Sequence, residues 1–401
     1  MKNGSGQQAF WTGFFAVVRL IVRPLFCYRY RREKRINGPA ILMGNHTLDI
    51  DAGLLGLSYS QAMRMVASEH VFRLGFLTVL IRLIFAPIVR MKGKTEISTV
   101  RKILNVLKDG GRVCIFPEGN RSYNGVTGEI TRASATLVKM AKCQLITYRI
   151  EGGYMRHPRW ARTVRRGPVR GYEVGRYPAA QLEQMTVDEI LSLIRRDLHE
   201  DAYARQAQNH AQYRGKRLAE SLETALYVCP KCGGVGTLQS KADSFFCSCG
   251  LSLRCTALGK LVSATAQAAP FSTVTAWDQW QQGQTAAIAA KAGDGAITAD
   301  EALSLYRIQP CEKDELLETG RLTLSRSELM CGSFLFPFSD IADLAIVGLN
   351  TLVFETRSGC YYEIRSKTAY SALKYRRLFL HFKKAAKGEY GAPLSAVQEN
   401  V

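Results

Sequence analysis

Apolar and polar positions along the first 225 residues recur in periods that predict short buried strands between amphipathic helices. Residues 40–43 form a continuous apolar run of strand length, and a helical run begins at Ala52. Four further elements follow the same rules: a helix over 95–109, a strand over 112–116, a helix over 131–142 and a strand over 145–150. Residues 180–225 are polar and helical in pattern. This order predicts an α/β domain with a central sheet flanked by helices.

The pattern changes in the last third of the chain. It predicts a helix over 275–292 with Thr275 as its N-cap, and an Ala/Gly-rich linker to about residue 300. From residue 320 onward, short alternating runs predict a mostly-β domain, which a helix over 369–381 closes. Strands followed by one terminal helix resemble a pleckstrin-homology-like barrel at the level of fold.

A strongly apolar segment near the N-terminus, residues 9–27, is interrupted by Arg19 and Arg23. A spanning helix needs about 20 predominantly apolar residues, and Pro24 breaks this run before a basic tail over 28–35. We interpret the segment as a helix lying in the membrane interface, with its arginines among lipid phosphates. A spanning helix is the alternative. Three aromatic residues near the terminus argue against a helix packed on the protein's own core: Trp11, Phe14 and Phe15.

A second apolar segment, residues 71–89, carries Arg73 and Arg82 and is also not expected to span a bilayer. Its pattern predicts a helix through about Phe85 and then a strand into Arg90. Its apolar side either joins the first segment as a membrane-facing platform or packs in the core.

Positive charge is concentrated in the first part of the chain. The formal net charge is +20, and residues 1–228 hold 36 Lys and Arg against 18 Asp and Glu. The loop over 154–176 is especially basic and has aromatic residues between its arginines. Such a surface binds membranes, acidic carrier proteins or nucleic acid. We favour the membrane and the carrier protein over nucleic acid, and a solvated loop is the alternative.

Four of the eleven cysteines stand as two close pairs, each followed by glycine: Cys229 with Cys232, and Cys247 with Cys249. Two such pairs suit tetrahedral zinc and resemble a zinc ribbon. The second pair is tighter than usual, and Cys255 is an alternative ligand. Four thiolates leave no open position, so we expect a structural metal. The scattered remaining cysteines and the lack of a recognisable signal peptide favour a reducing cytoplasm.

A histidine and two acids lie on the turn between the strand over 40–43 and the helix that follows it. Histidine is the usual general base near neutral pH, and a carboxylate on its far ring nitrogen fixes the tautomer. Helical neighbours lie three or four residues apart, which favours Asp49 as the partner of His46. Asp51 reaches His46 only if the histidine lies in the turn. The alternative is a loop histidine with acids that cap the helix.

A second polar block follows the strand over 112–116 and reads Phe116-Pro-Glu-Gly-Asn-Arg-Ser122. Together with the spacing His46-x-x-x-x-Asp51, this block resembles the glycerolipid acyltransferase family, the enzymes that acylate lysophosphatidate. That family carries the two blocks in this order with an arginine after a strand between them, which is Arg90 here. The resemblance covers roughly residues 10–175.

The resemblance implies a role for each matched residue. His46 would take the proton from the acceptor hydroxyl, and Asp51 would orient His46. Arg90 would bind the phosphate of the acceptor lipid, an ion that guanidinium grips with two hydrogen bonds. The other substrate-binding positions implied are Glu118, Gly119 and Arg121.

The sequence departs from the family at two points. Asn120 stands where threonine is usual, and the strand over 145–150 lacks the usual proline and carries Arg149, which leaves the acyl-chain preference open. There is no Gly-x-Ser-x-Gly elbow, so no covalent acyl-enzyme is expected. The resemblance implies a thioester of coenzyme A or of acyl carrier protein as donor, and no organic cofactor.

The sequence therefore predicts a peripheral enzyme on the cytoplasmic face of the cell membrane that acylates 1-acyl-glycerol-3-phosphate to phosphatidate. Expected partners are membrane phospholipid, lysophosphatidate and the thioester donor. The alternatives are a non-catalytic lipid-binding or scaffold protein, and an acyltransferase acting on another lysolipid. The predicted segments are 1–35 (interface helix and basic tail), 36–225 (acyltransferase domain), 226–262 (zinc ribbon), 263–300 (helix and linker), 301–388 (pleckstrin-homology-like β domain) and 389–401 (disordered tail).

Overall fold

The structure is a computed structural model that describes residues 11–20, 27–68, 87–90, 97–291, 295–309 and 314–386. The chain divides into two compact units, Met1–Gly233 with Thr237–Asp278, and Gly234–Gly236 with Gln279–Val401. Most of the predicted segment 71–89 and the whole of the predicted tail 389–401 lie outside the described residues.

The first unit is built on a seven-stranded sheet. Strands β2 to β6 run parallel, and β7 and β1 run in the opposite direction at one edge. The strands are β1 (Tyr28–Tyr30), β2 (Ala40–Gly44), β3 (Arg64–Ser68), β4 (Ile88–Arg90), β5 (Arg112–Ile115), β6 (Gln144–Glu151) and β7 (Val169–Tyr177), in the order β1-β7-β6-β2-β5-β3-β4. The predicted α/β class is confirmed.

Helices cover both faces of this sheet. They are α1 (residues 11–20), α2 (Asp51–Tyr59), α3 (Ile97–Lys108), α4 (Arg132–Ala141), α5 (Gly153–Arg156), α6 (Ala179–Gln184), α7 (Val187–Leu198) and α8 (Ala202–Asn209). Strand β2 is buried on both faces, which is why its sequence is apolar without alternation. Leu42 packs in one hydrophobic cluster with Leu54 of α2, and Met43 packs in the other with Ile194 of α7.

The structure confirms the predicted elements around the centre of this sheet. The helix predicted over 131–142 is α4, and the strand predicted over 145–150 is β6. The prediction of helix throughout 180–225 is wrong beyond Asn209, since only a short 3-10 turn follows, at Leu222–Thr224.

The predicted placement of α1 in a membrane interface is wrong for its aromatic residues. Trp11 and Phe15 lie in the hydrophobic core, at 5% and 1% exposure. A Cβ atom on Gly56 would lie 2.7 Å from Phe15 Cζ, so glycine lets α1 approach α2 closely. Arg19, predicted to lie among lipid phosphates, donates to Ser60 Oγ and to a backbone carbonyl. Among the described residues, no helix has the length and hydrophobicity needed to cross a bilayer.

The predicted basic surface over 154–176 is wrong for its first half. Arg156, Arg159 and Arg165 are buried, and they donate to backbone carbonyls inside the unit. Arg165 also stacks over the buried ring of Trp160, with its Cζ 5.1 Å from the ring centroid. The aromatic residues that appeared to interleave a solvent-facing patch instead enclose the guanidinium groups, and this part of the loop belongs to the core.

A small four-stranded antiparallel sheet follows within the first unit. Its strands are β8 (Leu238–Lys241), β9 (Ser244–Cys247), β10 (Ser252–Cys255) and β11 (Leu261–Ser263). The helix α9 (Val274–Gly283) begins beside this sheet, with the ring of Trp277 5.5 Å from that of Phe245. Thr273, not the predicted Thr275, accepts the N–H of Ala276 at the start of the helix. Thr275 instead donates to the carbonyl of Asn124.

The second unit is a seven-stranded antiparallel sheet with helices. Its helices are α10 (Thr285–Lys291) and α11 (Ala372–Ala386), so the single helix predicted over 275–292 is two helices divided after Gly283. Phe338 packs edge-on against Phe379 of α11. The strands are β12 (Thr298–Ile308), β13 (Glu315–Leu324), β14 (Glu328–Cys331), β15 (Phe334–Pro337), β16 (Ile341–Val347), β17 (Thr351–Thr356) and β18 (Tyr361–Arg365), in the order β15-β14-β13-β12-β18-β17-β16. The mostly-β prediction is confirmed.

Candidate active site

The His46 side chain lies at the carboxyl end of β2, in the turn before α2. Its Nδ1 atom is 3.0 Å from Asp51 Oδ2, and Asp51 is completely buried at the start of α2. Asp49, favoured by helical spacing, is exposed and pairs with Arg121 instead. Because His46 stands in the turn and not on the helix, the residue five positions along reaches it.

The hydrogen bonds around Asp51 fix the tautomer of His46. Asp51 Oδ2 also accepts the backbone N–H groups of Thr47 and Leu48, at 2.5 and 2.8 Å. Because Asp51 Oδ2 acts as an acceptor towards both amides, the Nδ1–H group of His46 donates to the same oxygen. Nε2 is then the atom that accepts a proton. With 24% of its side chain exposed, the imidazole is reachable from solvent, while its ring stacks on Phe116 at 4.8 Å between centroids.

Two buried residues that sequence reasoning did not single out hold this turn on the sheet. Asn45 accepts from the N–H of Ile150 at 2.7 Å and donates to its carbonyl at 2.8 Å, which joins the end of β2 to β6. Thr47 lies so close to Gly153 that any Cβ at position 153 would clash with the threonine hydroxyl. A buried polar residue directly after an apolar strand was the available signal for Asn45; its partner, 105 positions away, could not be inferred from spacing.

Glu118 binds two backbone amides of the protein. One oxygen accepts the N–H of His46 at 2.6 Å, and the other accepts the N–H of Gly128 at 2.5 Å. Burial raises the pKa of Glu118 to about 8, and the two amide hydrogen bonds offset only part of this effect. The carboxyl group predicted to bind substrate therefore also supports the backbone of the base.

Glu118 predicts a pH dependence of stability. Its pKa is about 8 in the folded protein against 4.5 for an ordinary glutamate, so folding takes up a proton between these values. The free energy of unfolding is expected to fall as pH rises across this window, by at most about 1.4 kcal/mol per pH unit from this group. Urea unfolding at about pH 5 and about pH 8 measures the free energy of unfolding of the wild type and of Glu118→Gln. This free energy should fall less between the two pH values in the variant than in the wild type. An equal fall in both proteins would contradict a raised pKa of Glu118.

Two arginines flank the Glu118–Gly119 turn. Gly119 has a φ of +68°, and a Cβ built on it would lie 3.3 Å from Arg90 Nη1, so the guanidinium of Arg90 reaches from the end of β4 to this turn. Arg121 is buried and donates to the carbonyls of Thr47 and His157 and to Asp49 Oδ2. The structure thus brings all six predicted site residues to one end of the sheet: His46, Asp51, Arg90, Glu118, Gly119 and Arg121.

The four predicted cysteine ligands form a separate cluster. The Sγ atoms of Cys229, Cys232, Cys247 and Cys249 all lie within 4.8 Å of one another. Two pairs of these atoms are 3.6 and 3.9 Å apart, and thiolates about 2.3 Å from a tetrahedral zinc ion are separated by about 3.8 Å. The glycines after the pairs have positive φ, which forms the two tight turns. The donor set therefore fits a metal ion, and Cys255, on β10, is outside it.

Comparisons with known proteins find similarity to acyltransferases. Residues 27–151 match the family model described as Acyltransferase. The chain is 25% identical over 100 residues to 1-acyl-sn-glycerol-3-phosphate acyltransferase LPAT1, chloroplastic, of Arabidopsis thaliana. That match covers 25% of this chain and 28% of the relative, so the chain spans little more than a quarter of the length of the curated relative it matches.

The solved structures similar to this chain include the following two. The 1-acyl-sn-glycerophosphate acyltransferase PlsC from Thermotoga maritima aligns at 16% identity over 48% of this chain and 78% of its own, with a TM-score of 0.38. The N-terminal PH domain of human ARAP2 aligns at 12% identity over 26% of this chain and 92% of its own, with a TM-score of 0.20.

The fold and the site place a histidine that can act as a base at the end of an α/β sheet, within the residues that match the Acyltransferase family model. That histidine lies on a strand-to-helix turn, with a buried aspartate behind it. The match over residues 27–151 confirms the resemblance stated on the two sequence blocks.

Proposed function

We propose that the protein transfers an acyl chain from a thioester to the free hydroxyl of 1-acyl-glycerol-3-phosphate, giving phosphatidate. The observation that carries the proposal is the contact between His46 Nδ1 and the buried Asp51, which leaves Nε2 as a base open to substrate. The name of the Arabidopsis relative, a 1-acyl-sn-glycerol-3-phosphate acyltransferase, supports this acceptor.

The chemistry follows from the placement of the base. His46 Nε2 takes the proton of the acceptor hydroxyl as its oxygen attacks the thioester carbonyl, and Asp51 stabilises the imidazolium that forms. A carbon–oxygen bond forms, the carbon–sulfur bond breaks, and the proton passes to the departing thiolate. Atoms and charge balance without a covalent enzyme intermediate.

The acceptor phosphate would be bound by Arg90 with Arg121. Arg121 Nη1 is 2.6 Å from Asp49 Oδ2, and 69% of the Asp49 side chain is exposed. An incoming phosphate would therefore compete with an exposed carboxylate and not with a buried one. Glu118 and Gly119 would meet the glycerol part of the acceptor.

The remaining parts of the chain have roles in the same proposal. We propose structural zinc on Cys229, Cys232, Cys247 and Cys249, where four thiolates leave no open coordination position. The second unit is proposed to be pleckstrin-homology-like, because an antiparallel sheet is followed by one terminal helix. Since the acceptor is a membrane lipid, we propose peripheral association with the cytoplasmic face of the membrane, to which the exposed Val17 and Leu20 of α1 would contribute.

Acyl transfer to labelled lysophosphatidate in liposomes tests the proposal, with acyl-coenzyme A and acyl-carrier protein as separate donors. The wild type should form phosphatidate, and His46→Ala should form almost none. A panel of other lysolipids offered beside lysophosphatidate tests the acceptor. Transfer to another lysolipid with none to lysophosphatidate would replace the proposed acceptor, and no transfer to any of them would favour a lipid-binding protein.

A further inference from the structure

Three exposed arginines form a cationic cluster at the β1 edge of the sheet. Arg29 of β1 and Arg170 of β7 are register partners on neighbouring strands, so their side chains share a face of the sheet. Arg29 and Arg166 also line an open pocket of about 370 Å³. The other residues lining this pocket are Cys27, Tyr28, Gly167 and Pro168. We call Arg29, Arg166 and Arg170 the edge cluster.

The edge cluster has no acidic partner in the part of the chain that the structure describes. No Asp or Glu of the described residues forms an ion pair with Arg29, Arg166 or Arg170, and the guanidinium of Arg170 lies over the ring of Tyr172. Other arginines of the same sheet are paired: Arg176 with Glu173, for example. Uncompensated guanidinium groups around a concave surface suit a ligand with several phosphate oxygens.

The edge cluster and His46 lie at the same end of the sheet. Glu151, at the carboxyl end of β6, pairs in register with Arg170 at the start of β7, and β6 runs parallel to β2. His46 follows the end of β2, so the base and the edge cluster lie at similar positions along the strand direction. Three steps across the sheet separate β1 from β2, which is about 14 Å at the usual strand spacing.

A second cation stands on the opposite side of the base. Arg90 ends β4, which is also three steps from β2, but its guanidinium reaches back to Gly119, next to the Glu118 carboxyl group that accepts the N–H of His46. The proposed reaction joins two substrates that both carry phosphate. The acceptor has its phosphate close to the reacting hydroxyl, while the donor has its phosphates at the far end of a long pantetheine arm. One phosphate site near the base and one farther away match these two substrates.

We infer that the edge cluster binds the phosphates of the thioester donor. The pantetheine arm would then run from β1 across the end of the sheet toward His46 at the end of β2. This inference rests on the proposed acyl transfer and adds the site of the donor to it. Two donors share the chemistry: coenzyme A carries phosphates on its nucleotide, and the carrier protein attaches its arm through a phosphate. The pocket between Arg29 and Arg166 favours an inserted phosphate group over a membrane plane.

Binding of coenzyme A without its thiol (desulfo-coenzyme A) tests the inference independently of catalysis. Calorimetry compares the wild type with Arg166→Ala/Arg170→Ala. Its matched control is Arg101→Ala/Lys102→Ala, which removes the same charge from exposed positions of α3. We expect the edge-cluster variant to bind at least about tenfold more weakly, since charge-assisted contacts to phosphate are lost, and the control to bind like the wild type.

Kinetics with two donors separates phosphate binding from chemistry. In the edge-cluster variant, KM for acyl-coenzyme A should rise about tenfold. Its kcat should stay unchanged, and so should KM for acyl-pantetheine, which has no phosphates. If KM rises only for acyl-carrier protein, the inference holds with the carrier as the source of the phosphate. If the variant has the wild-type affinity for both donors, coenzyme A and carrier protein, the inference is overturned.

Two further outcomes separate this inference from the proposed function. Cosedimentation with vesicles of anionic phospholipid tests the membrane: lost vesicle binding with unchanged donor affinity would assign the edge cluster to the membrane and overturn the inference. Donor binding that depends on the cluster, without acylation of lysophosphatidate, would support the donor site and reject the acceptor. Normal acylation of lysophosphatidate, with donor binding that does not depend on the edge cluster, would support the acceptor and overturn the donor site.

Discussion

His46→Ala is expected to lower kcat for acyl transfer by about 10²- to 10⁴-fold, because it removes the group that takes the proton from the acceptor. Stability should change little, since the imidazole is partly exposed and the turn is held by other residues, Asn45 and Glu118 among them. Initial rates and thermal unfolding of the same preparations measure both. A folded variant with near wild-type turnover would contradict the role of His46.

The two aspartates beside His46 offer a matched pair for the same reaction. Asp51→Asn can keep an oxygen in the position of Oδ2, which accepts from His46, Thr47 and Leu48. The tautomer is then preserved and the negative charge is lost, so we expect kcat to fall by at least about tenfold. Asp49→Asn changes the same charge at an exposed position outside this network, and its kcat should stay within about twofold of the wild type. Equal effects would contradict the assignment of Asp51.

Removing the metal is expected to have the largest effect on stability. Structural zinc contributes about 10–16 kcal/mol of apparent binding free energy in small zinc domains, so apoprotein should unfold at a clearly lower temperature. Cys232 is exposed. If it bound nothing, Cys232→Ser would change the free energy of unfolding by less than about 0.5 kcal/mol. If Cys232 binds zinc, we expect Cys232→Ser to lower the free energy of unfolding by at least about 3 kcal/mol.

The control for the metal prediction is Cys360→Ser, which removes a half-buried thiol of the second unit. Metal content by mass spectrometry should give one zinc per chain in the wild type and in this control, and much less in Cys232→Ser. Added chelator should lower the melting temperature of the wild type. A wild type without zinc, equally stable with and without chelator, would show that the cysteines have no structural metal.

The site could be predicted from the sequence where the signal is local. His46, Asp51 and the block that ends at Ser122 each follow an apolar strand, and parallel strands bring their carboxyl ends to one edge of a sheet. Helical spacing alone indicated Asp49, because it does not reveal that His46 precedes the helix. The resemblance indicated Asp51, and the structure agrees with it.

The errors arose where burial depends on distant partners. A sequence of arginines and aromatic residues looks the same on a surface and in a core, and only the carbonyls of residues such as Leu218 show that Arg165 is enclosed. The same holds for Phe15, whose place depends on the small residue Gly56 in the next helix. Composition indicates that a segment is charged or apolar, but tertiary contacts determine the surface on which it lies.

The contacts of α9 determine where the chain can be cut. Trp277 donates to the carbonyl of Val228, and Asp278 accepts from Asn124, a residue of the loop that follows Arg121. The acyltransferase segment was predicted to end at residue 225. A fragment ending there would lack the α9 residues that contact this loop. The shortest fragment that keeps these contacts runs to Asp278. Anyone who trims this protein to the part that carries His46 should therefore retain the four cysteines and strands β8 to β11 as well.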